Sequence, residues 1–404
     1  MKLAVIGQGY VGLSVSISAA STGIETIGFD TNQSLVKSLL SGLSHIPDIK
    51  SSDLKSLIKN KSISFSSDMT LLKDCDSIII AVPTPINDQH LPDLKYLKEA
   101  SESIYKYAQD GALIINESTS YPGTLRDFIR PITDPNLSRK FLYASAPERI
   151  DPGNPKWNLS NTPRIIAGLN SEATDKTKIL YSKFCGDIFI ATSPEAAEAA
   201  KIFENTFRQV NIALVNEFSN ILFHLGLTAS ETLKAASTKP FGLMPFIPSI
   251  GVGGHCIPVD PYYLTYALKK LGVSAPLIEM ANSINLSQPR EVAIRISNLF
   301  GGDLNNKKIQ IAGITYKSDT PDLRESPAIK LIEELTNLGA IVTWFDPLIT
   351  EFQGTGSTPL KADIDLGLIV SPHKGFNFDI WKKSEVKVVD LSASHNEFGW
   401  EKFL

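Results

Sequence analysis

The sequence has few cysteines, a small net charge and no long apolar run, and each of these shortages excludes a class of protein. Three cysteines in 404 residues, without a regular spacing, argue against a disulfide framework and fit a reducing cytoplasm. No apolar run approaches the ~20 residues of a membrane-spanning helix, and the run after Met1 is too short for a secretory signal and is broken by Gly7. The net charge of −4 gives no sign of nucleic-acid or membrane-surface binding. The remaining composition, 43% hydrophobic and 20% charged, is that of a globular chain long enough for two or three domains.

The N-terminus carries a strand, a glycine-rich turn and a helix in the order that a dinucleotide site requires. An apolar strand ends at Gly7, and Gly9 and Gly12 complete a G-x-G-x-x-G motif before a helix rich in small residues. These glycines allow a tight turn, a close approach of the pyrophosphate, and close packing of helix on strand. A second strand ends at Asp30, where a carboxylate accepts hydrogen bonds from ribose hydroxyls and repels a 2′-phosphate. The pattern therefore predicts NAD rather than NADP; the alternative is a glycine turn without a ligand.

Later strands of the same predicted sheet end in polar residues. In open α/β sheets, ligands bind outside the carboxyl ends of the strands. Thr84 and Thr119 therefore become candidate lining residues, and Glu148 becomes a candidate for chemistry. Thr119 could instead cap the helix that follows it, and Asn116 or Ser120 could serve there equally well.

The middle of the chain predicts one unusually long helix. Ser193 is its N-cap, proline takes the first helical position, and neither proline nor glycine interrupts it before about His224. Roughly 30 residues far exceed the ~11–12 of an average helix, which indicates a domain connector, an oligomer interface or both. Lys201, Asn205 and Arg208 share one face. That face either meets an anionic ligand or leaves its two cations solvated.

Residues 251–263 form the most unusual stretch of the chain. Three glycines precede Cys256 within five residues, and Asp260 follows between two prolines, so the stretch predicts a rigid loop that presents one thiol. For Cys75 and Cys185, we expect the usual role of small buried hydrophobic residues. The proline- and phenylalanine-rich segment before the loop is an ordered substrate loop, packing beneath the cysteine loop, or both.

The last third begins with a helix predicted over residues 291–300, which ends at Gly301 and Gly302. The pattern after it predicts a second α/β unit without a G-x-G-x-x-G motif, so this unit should hold a nucleotide in some other way or not at all. A polar, irregular segment after its first strand contains Lys317 and Arg324, which are candidate phosphate donors. Arg324 could equally pair with Asp319 or Asp322. The next strand ends at Asp346, which repeats the strand-acid-turn pattern of the first unit.

An NAD site and a presented thiol together predict a particular chemistry. Hydride transfer to NAD oxidises an alcohol to an aldehyde. Attack by Cys256 on that aldehyde gives a thiohemiacetal, whose oxidation gives a thioester that water releases as an acid. Lys201 could donate to the developing oxyanion, and Asp260, Glu148 and Thr119 could position water or exchange protons.

The chain resembles the UDP-glucose/UDP-mannose dehydrogenase family of nucleotide-sugar 6-dehydrogenases over essentially its whole length. The motifs that carry the resemblance are residues 7–13, 117–124, 147–149, 201–208, the Cys256 loop, 316–317 and 323–327. The resemblance implies two Rossmann-like doubly wound domains joined by a long central helix and a helical dimerisation region. The implied boundaries are 1–191 for an NAD-binding domain, 192–290 for a central domain and 291–404 for a UDP-binding domain. It also implies a cytoplasmic homodimer with a UDP-sugar substrate and NAD, without a metal, nucleic acid or membrane.

The resemblance also assigns site residues. It implies catalytic roles for Cys256, Lys201, Asn205, Asp260, Thr119 and Glu148. It implies cofactor contacts for Gly7, Gly9, Tyr10, Val11, Gly12, Asp30, Pro83, Thr84, Thr119 and Arg324. It implies substrate contacts for Glu148, Arg149, Lys201, Asn205, Arg208, Phe246, Gly253, His255 and Lys317.

The sugar is indicated by the residue before the nucleophile. UDP-glucose enzymes usually have Gly-Gly-Ser-Cys, whereas this chain has His255 before Cys256, which is similar to the N-acetylhexosamine branch. Residues 147–155 and 238–242 are most similar to UDP-N-acetylglucosamine 6-dehydrogenases, whose products are precursors of surface polysaccharides. The alternatives are UDP-N-acetylmannosamine or UDP-glucose as the substrate, a single-step β-hydroxyacid dehydrogenase, and an NAD-sensing or scaffolding protein.

Overall fold

The computed structural model describes residues 1–404 except 88, 152, 155 and 393–400. Pro152 and Pro155 of the motif at 147–155 therefore lie outside the described residues. The strands are β1 Lys2–Ile6, β2 Glu25–Phe29, β3 Ile63–Ser66, β4 Ser77–Ile80, β5 Leu113–Asn116, β6 Leu142–Ser145, β7 Arg164–Gly168, β8 Ile188–Ile190, β9 Lys308–Ala312, β10 Ile341–Phe345, β11 Glu351–Phe352, β12 Thr355–Gly356, β13 Leu366–Ile369, β14 Lys387–Asp390 and β15 Glu401–Lys402. The helices are α1 Tyr10–Ser21, α2 Gln33–Leu40, α3 Ser51–Lys59, α4 Lys95–Tyr107, α5 Arg130–Thr133, α6 Ser171–Tyr181, α7 Pro194–His224, α8 Ala229–Ala236, α9 Asp260–Lys270, α10 Pro276–Asn298, α11 Pro327–Asn337 and α12 Asp379–Lys382, with short 3₁₀ and π segments at Met69–Asp74 and Leu125–Ile129.

The chain divides into two compact units, and the first comprises Met1–Glu204 and Tyr262–Val273. Its sheet has the strand order β3-β2-β1-β4-β5-β6-β7-β8. Neighbouring strands are parallel except β6 and β7, which are antiparallel. β4 is buried along its whole length, as expected for a parallel strand covered on both faces. The order reverses between β1 and β4, so their carboxyl ends form the crevice where such sheets bind ligands.

The second unit comprises Asn205–Pro261 and Ser274–Leu404. Its main sheet is parallel throughout, with the order β10-β9-β13-β14-β15. Ile309 and Ile311 of β9 pack into one core with Leu331 and Leu335 of α11. β11 and β12 form a separate antiparallel hairpin. The predicted α/β architecture with two Rossmann-type sheets is thereby confirmed.

The helices agree with prediction at α7 and differ at α10. α7 has 31 residues, and its N-cap is the predicted one, because the Ala196 amide donates to Ser193 Oγ at 3.2 Å. The helix predicted to begin at Glu291 begins instead at Pro276, and it contains Pro289 in its interior. An internal proline costs about 3 kcal/mol or more. Three side-chain amide pairs hold this stretch of α10 against α7, at 2.9, 3.1 and 3.0 Å: Gln209–Asn282, Asn216–Asn285 and Asn220–Gln288.

The described helices include none that is long and apolar enough to cross a membrane. The three domain boundaries and the dimerisation role of the central helices remain predictions.

Candidate active site

The glycine-rich turn between β1 and α1 is tightly packed on one side and open on the other. A Cβ on Gly7 would lie 2.5 Å from the Ala81 carbonyl oxygen, and one on Gly12 would lie 1.7 Å from the Gly7 carbonyl oxygen. Gly7 also has φ of +92°, a conformation that favours glycine. Within the described chain, a Cβ on Gly9 would meet no neighbouring atom within 4 Å. The turn therefore leaves room for a pyrophosphate at the start of α1.

Asp30 stands at the carboxyl end of β2, next to this turn. Its carboxylate accepts hydrogen bonds from the Gln8 and Asn32 amides, both at 2.9 Å, which fixes its orientation. A half-buried carboxylate held in this way fits the two hydroxyls of an adenosine ribose and disfavours a 2′-phosphate. The residues present therefore fit NAD.

Tyr10, the first residue of α1, uses its side chain for a structural contact. Its hydroxyl donates a hydrogen bond to Asp48, and the same Asp48 oxygen accepts from the Gly153 amide at 2.9 Å. Burial, together with Asp48, raises the pKa of Tyr10. The hydroxyl is thus engaged within the fold, and the Tyr10 backbone amide lies at the start of α1, where a phosphate would bind.

The Pro83–Thr84 segment after β4 is held from two directions. The Ser118 hydroxyl accepts from the Val82 amide at 2.9 Å. The hydroxyl of Tyr263, on α9, donates to the Thr84 carbonyl oxygen. The segment lies after the carboxyl end of β4, as predicted, and these two hydrogen bonds fix its backbone. Thr84 itself is buried.

Thr119 follows β5, and none of the side chains proposed as helix caps takes that role in the described structure. The N-cap of the next helical segment is Thr124, whose side chain makes no capping hydrogen bond. Instead, Glu198 of α7 accepts from the Gly123 and Leu125 amides at 2.7 and 3.2 Å. Burial raises the pKa of Glu198 to about 8. Thr119 is therefore not occupied as a cap.

Glu148 lies in a buried turn after β6. Both its carboxylate oxygens lie 2.6 Å from the Ile150 amide, which donates to them. The neighbouring Arg149 points into an ion pair with Glu204 at 2.7 Å and donates to the Pro163 carbonyl oxygen at 2.8 Å. Arg149 is thus engaged within the first unit, whereas Glu148 has a carboxylate fixed by its own turn.

The face of α7 that carries Lys201, Asn205 and Arg208 is not uniformly solvated. Lys201 is only 9% exposed, whereas Arg208 is exposed. Within the second unit, the Asn205 side-chain amide donates to the carboxylate of Asp260, itself 3% exposed. The structure therefore joins two of the predicted catalytic residues directly.

The Cys256 loop packs on the segment that follows β9. A Cβ on Gly253 would lie 2.7 Å from Tyr316 Cβ, and one on Gly254 would lie 2.9 Å from the Tyr316 ring. The Gly254 amide donates to the Arg324 carbonyl oxygen at 3.1 Å. The glycines are thus required by close packing, and Cys256 itself is exposed.

The loop is shorter than predicted, because α9 begins at Asp260. The Asp260 amide donates to the Cys256 carbonyl oxygen at 2.8 Å, which forms a turn directly after the thiol. The last four residues of the predicted loop therefore belong to the first turn of a helix. That helix fixes the Asp260 carboxylate relative to the Cys256 backbone.

The side chains around this loop differ in how far they are engaged. Arg324 pairs with Asp322, Nη2 to Oδ2 at 2.5 Å, so the alternative of an internal ion pair is the one present in this structure. Burial and the nearby Arg324 charge lower the pKa of His255, although Asp322 opposes this, which favours a neutral imidazole. Phe246 packs edge-on against Phe207, with ring centroids 6.2 Å apart.

The predicted site residues fall into two sets, one in each unit. The first unit contains Gly7, Gly9, Tyr10, Val11, Gly12, Asp30, Pro83, Thr84, Thr119, Glu148, Arg149 and Lys201. The second contains Asn205, Arg208, Phe246, Gly253, His255, Cys256, Asp260, Lys317 and Arg324.

Three residues that support these sets were not found from the sequence: Arg164, Glu198 and Tyr263. Arg164 is 3% exposed and lies beside Glu148, where its guanidinium donates to the Pro147 carbonyl oxygen at 3.0 Å. An arginine at the first position of an otherwise apolar strand was the signal available for it. Glu198 and Tyr263 gave no such local signal, because each contacts residues far away in the chain.

Comparison with known proteins gives consistent matches along the chain. Three family models match: the UDP-glucose/GDP-mannose dehydrogenase family NAD binding domain over residues 1–185, its central domain over 195–287 and its UDP binding domain over 310–392.

Individual relatives cover nearly the whole chain. A UDP-N-acetyl-D-glucosamine 6-dehydrogenase of Pseudomonas aeruginosa is 34% identical over 361 residues, 87% of this chain and 83% of its own. A UDP-N-acetyl-D-mannosamine dehydrogenase of Methanocaldococcus jannaschii is 35% identical over 415 aligned residues, 99% of this chain and 94% of its own. The solved structure of a UDP-D-ManNAc dehydrogenase from Pyrococcus horikoshii superposes with a TM-score of 0.86 at 32% identity, covering 96% of this chain and 95% of that one.

Proposed function

Because the chain belongs to the UDP-glucose/GDP-mannose dehydrogenase family of NAD-dependent oxidoreductases, we propose that it oxidises C6 of a UDP-N-acetylhexosamine to the uronate. The first candidate substrate is UDP-N-acetylglucosamine. The balanced reaction converts the primary alcohol, two NAD⁺ and one water into the carboxylate, two NADH and three protons.

The observation that carries this proposal is the setting of Cys256. An exposed thiol follows two glycines whose Cβ positions are filled by Tyr316, and the Asp260–Asn205 pair lies one helical turn further along. A dehydrogenase that stops at the aldehyde has no use for such a thiol. Covalent capture of the aldehyde explains both the nucleophile and the fixed carboxylate beside it.

The residues divide the chemistry as follows. NAD, when bound at the Gly7–Gly12 turn and Asp30, supplies the hydride acceptor for both oxidations. Cys256 Sγ bonds to C6 of the aldehyde to form a thiohemiacetal, and oxidation of that species gives the thioester. Lys201 donates to the developing oxyanion. Asp260 and Glu148, with Thr119, orient the water that breaks the C–S bond and take its proton.

A stoichiometric assay tests the proposal. We expect two NADH per UDP-N-acetylglucosamine consumed, with the uronate as product. Cys256→Ser should retain binding of the UDP-sugar and lose uronate formation. The reason is that a serine hydroxyl, which hardly ionises at neutral pH, is a far weaker nucleophile than a thiolate. One NADH per sugar would instead favour a single-step dehydrogenase, and full uronate production by Cys256→Ser would remove the thioester from the mechanism.

UDP-N-acetylmannosamine is the second candidate substrate. The relatives from Methanocaldococcus jannaschii and Pyrococcus horikoshii favour it, and the Pseudomonas aeruginosa relative favours UDP-N-acetylglucosamine. Initial rates on the two epimers, UDP-N-acetylgalactosamine and UDP-glucose, measured side by side, rank the candidates. We further propose a cytoplasmic enzyme that supplies a uronic-acid precursor of a surface polysaccharide.

We also propose a homodimer that forms through α7. In the second unit, Leu214, Phe218 and Ile221 of α7 recur at spacings of four and three residues, and each is 38–61% exposed. Such a stripe has the periodicity of a helix-packing face. A monomeric mass by light scattering would contradict this assembly.

A further inference from the structure

A cluster of buried ionisable side chains lies behind Glu148 in the first unit. Arg164, at the start of β7, faces two carboxylates: its Nη1 is 3.5 Å from Glu117 Oε2, and its Nη2 is 3.7 Å from Glu148 Oε1. None of the three side chains is more than 9% exposed. The single guanidinium of Arg164 therefore faces two carboxylates, and all three side chains are almost fully buried.

The guanidinium also holds the backbone that leads to Glu148. Its Nη1 donates to the Pro147 carbonyl oxygen at 3.0 Å and to the Ala146 carbonyl oxygen at 3.3 Å. The Ile150 amide also holds the Glu148 carboxylate, because it donates to both carboxylate oxygens. Removing Arg164 would therefore release both the turn and the charge that faces its carboxylate.

Glu117 differs from Glu148 in its surroundings. It is completely buried, and the Tyr181 hydroxyl donates a hydrogen bond to it. Burial raises the pKa of Glu117 to about 7, although the Arg164 charge and the Tyr181 hydrogen bond oppose the shift. Below neutral pH, Glu117 therefore holds a proton, and the Arg164 charge is left to Glu148.

We propose that Arg164 is a positioning residue for Glu148: its buried guanidinium fixes the Pro147–Glu148 turn and faces the Glu148 carboxylate with a positive charge. The inference rests on the proposed function, in which Glu148 orients water and takes its proton. The ionisable groups that face Arg164 are Glu117, Glu148, Tyr181 and Cys185. Arg149, the nearest other cation in the sequence, is directed to Glu204 instead.

Arg164→Gln tests the charge. An opposite charge within ~4–6 Å of a carboxylate shifts its protonation by about 1 to 3 pH units. We therefore expect the acid limb of the kcat profile to move to higher pH by about that amount, so that kcat at a pH below the limb falls by about tenfold per unit of the shift. The NAD dissociation constant should not change, because Arg164 does not contact the glycine turn or Asp30.

Two further variants separate positioning from general damage. Arg164→Lys keeps the charge and loses the fork that reaches both carbonyl oxygens, so kcat should fall while the acid limb stays in place. Glu117→Gln, a neutral isostere, should also leave the acid limb in place, because Glu117 already holds its proton there. If Arg164→Gln does not fold, a lysine variant with wild-type kcat overturns the positioning role.

A readout without substrate keeps the inference separate from the proposed function. Titration of ¹³Cδ-labelled glutamate, with resonances assigned through Glu148→Gln and Glu117→Gln, follows each carboxylate directly. We expect the Glu148 resonance to titrate at higher pH in Arg164→Gln than in wild type. If the Glu148 resonance does not move, the role of Arg164 is overturned, even where the wild type oxidises UDP-sugars. If the wild type is inactive on every UDP-sugar, the proposed function is overturned, and the titration still decides whether Arg164 acts on Glu148.

Discussion

Glu198→Gln should change the pH dependence of stability, because Glu198 is a buried carboxylate that faces backbone amides instead of a cation. It accepts from the Gly123 and Leu125 amides, which pins the segment after Thr119 to α7 one turn before Lys201. A glutamine has the same shape but only one acceptor oxygen, so its NH₂ would face one of the two amides. One buried N–H is then left without an acceptor, which costs about 1–3 kcal/mol.

The magnitude and sign follow from the raised pKa. Burial raises the pKa of Glu198 from an ordinary 4.5 to about 8 in the folded protein. A separation of about 3.5 units at 1.36 kcal/mol per unit gives about 5 kcal/mol as an upper limit. Because the folded-state value is the higher one, this stabilisation is fully present below pH 4.5 and is lost as the pH rises to 8. Wild-type stability should fall by up to about 1.4 kcal/mol per pH unit across that window.

Urea unfolding of both proteins between pH 5 and pH 9, followed by circular dichroism, measures the effect. Glu198→Gln should be less stable at pH 5 and should lack this part of the slope, so the two stability curves converge and cross as the pH rises. Glu195→Gln is the matched control on the same helix. Glu195 pairs with Arg126, and their side chains are 32% and 47% exposed, respectively. Such exposed ion pairs contribute less than about 1 kcal/mol to the free energy of unfolding. Parallel curves for wild type and Glu198→Gln would refute the assignment of a buried, protonated carboxylate.

Two further substitutions test the cofactor turn and the cysteine loop. Asp30→Ala should weaken NAD binding by about 10- to 100-fold, the size of one charged hydrogen-bonding group at about 1.5–3 kcal/mol; an unchanged dissociation constant by calorimetry would place the ribose elsewhere. Gly254→Ala, at φ +90°, should lower kcat and slow alkylation of Cys256, because its Cβ would lie 2.9 Å from the Tyr316 ring. Gly272→Ala, at φ +69° with no described atom within 4 Å, also places an alanine at positive φ but without the clash, and should retain both rates.

The features that sequence predicted correctly are those whose physical requirements are local. The turn at Gly7 and Gly12 needs glycine because backbone atoms occupy the Cβ positions. The two glycines lie within six residues of each other, so the motif can be identified from the sequence alone. The start of α7 is likewise local, since Ser193 caps an amide three residues away. Helix α10 could not be placed in this way, because the local signal, Pro289, argues against a continuous helix, whereas the amide pairs that hold α10 against α7 join residues some 70 positions apart in the chain.

The supporting residues of the candidate site escaped prediction for the same reason. The Tyr263 hydroxyl reaches the Thr84 carbonyl oxygen across 179 residues of sequence. Arg164 meets Glu117 only because β5, β6 and β7 are neighbours in the sheet. Sequence can indicate that a charged residue in an apolar strand needs a partner, but only the strand order identifies that partner.

The two strand-end aspartates show how one local pattern can have two outcomes. Asp30 accepts from the amide after Gly7, and Asp346 accepts from the amide after Gly313, in each case at 2.9 Å. In the second unit, however, His373 Nε2 lies 3.0 Å from the Asp346 carboxylate, and its Nδ1 accepts from the Asp319 amide at 2.7 Å. Since Nδ1 is an acceptor, the ring hydrogen is on Nε2, which donates a hydrogen bond to Asp346, a residue only 2% exposed. The Asp346 carboxylate, which corresponds to the Asp30 carboxylate of the first unit, is therefore engaged inside the fold. His373 also holds the segment that carries Lys317, through the Asp319 amide.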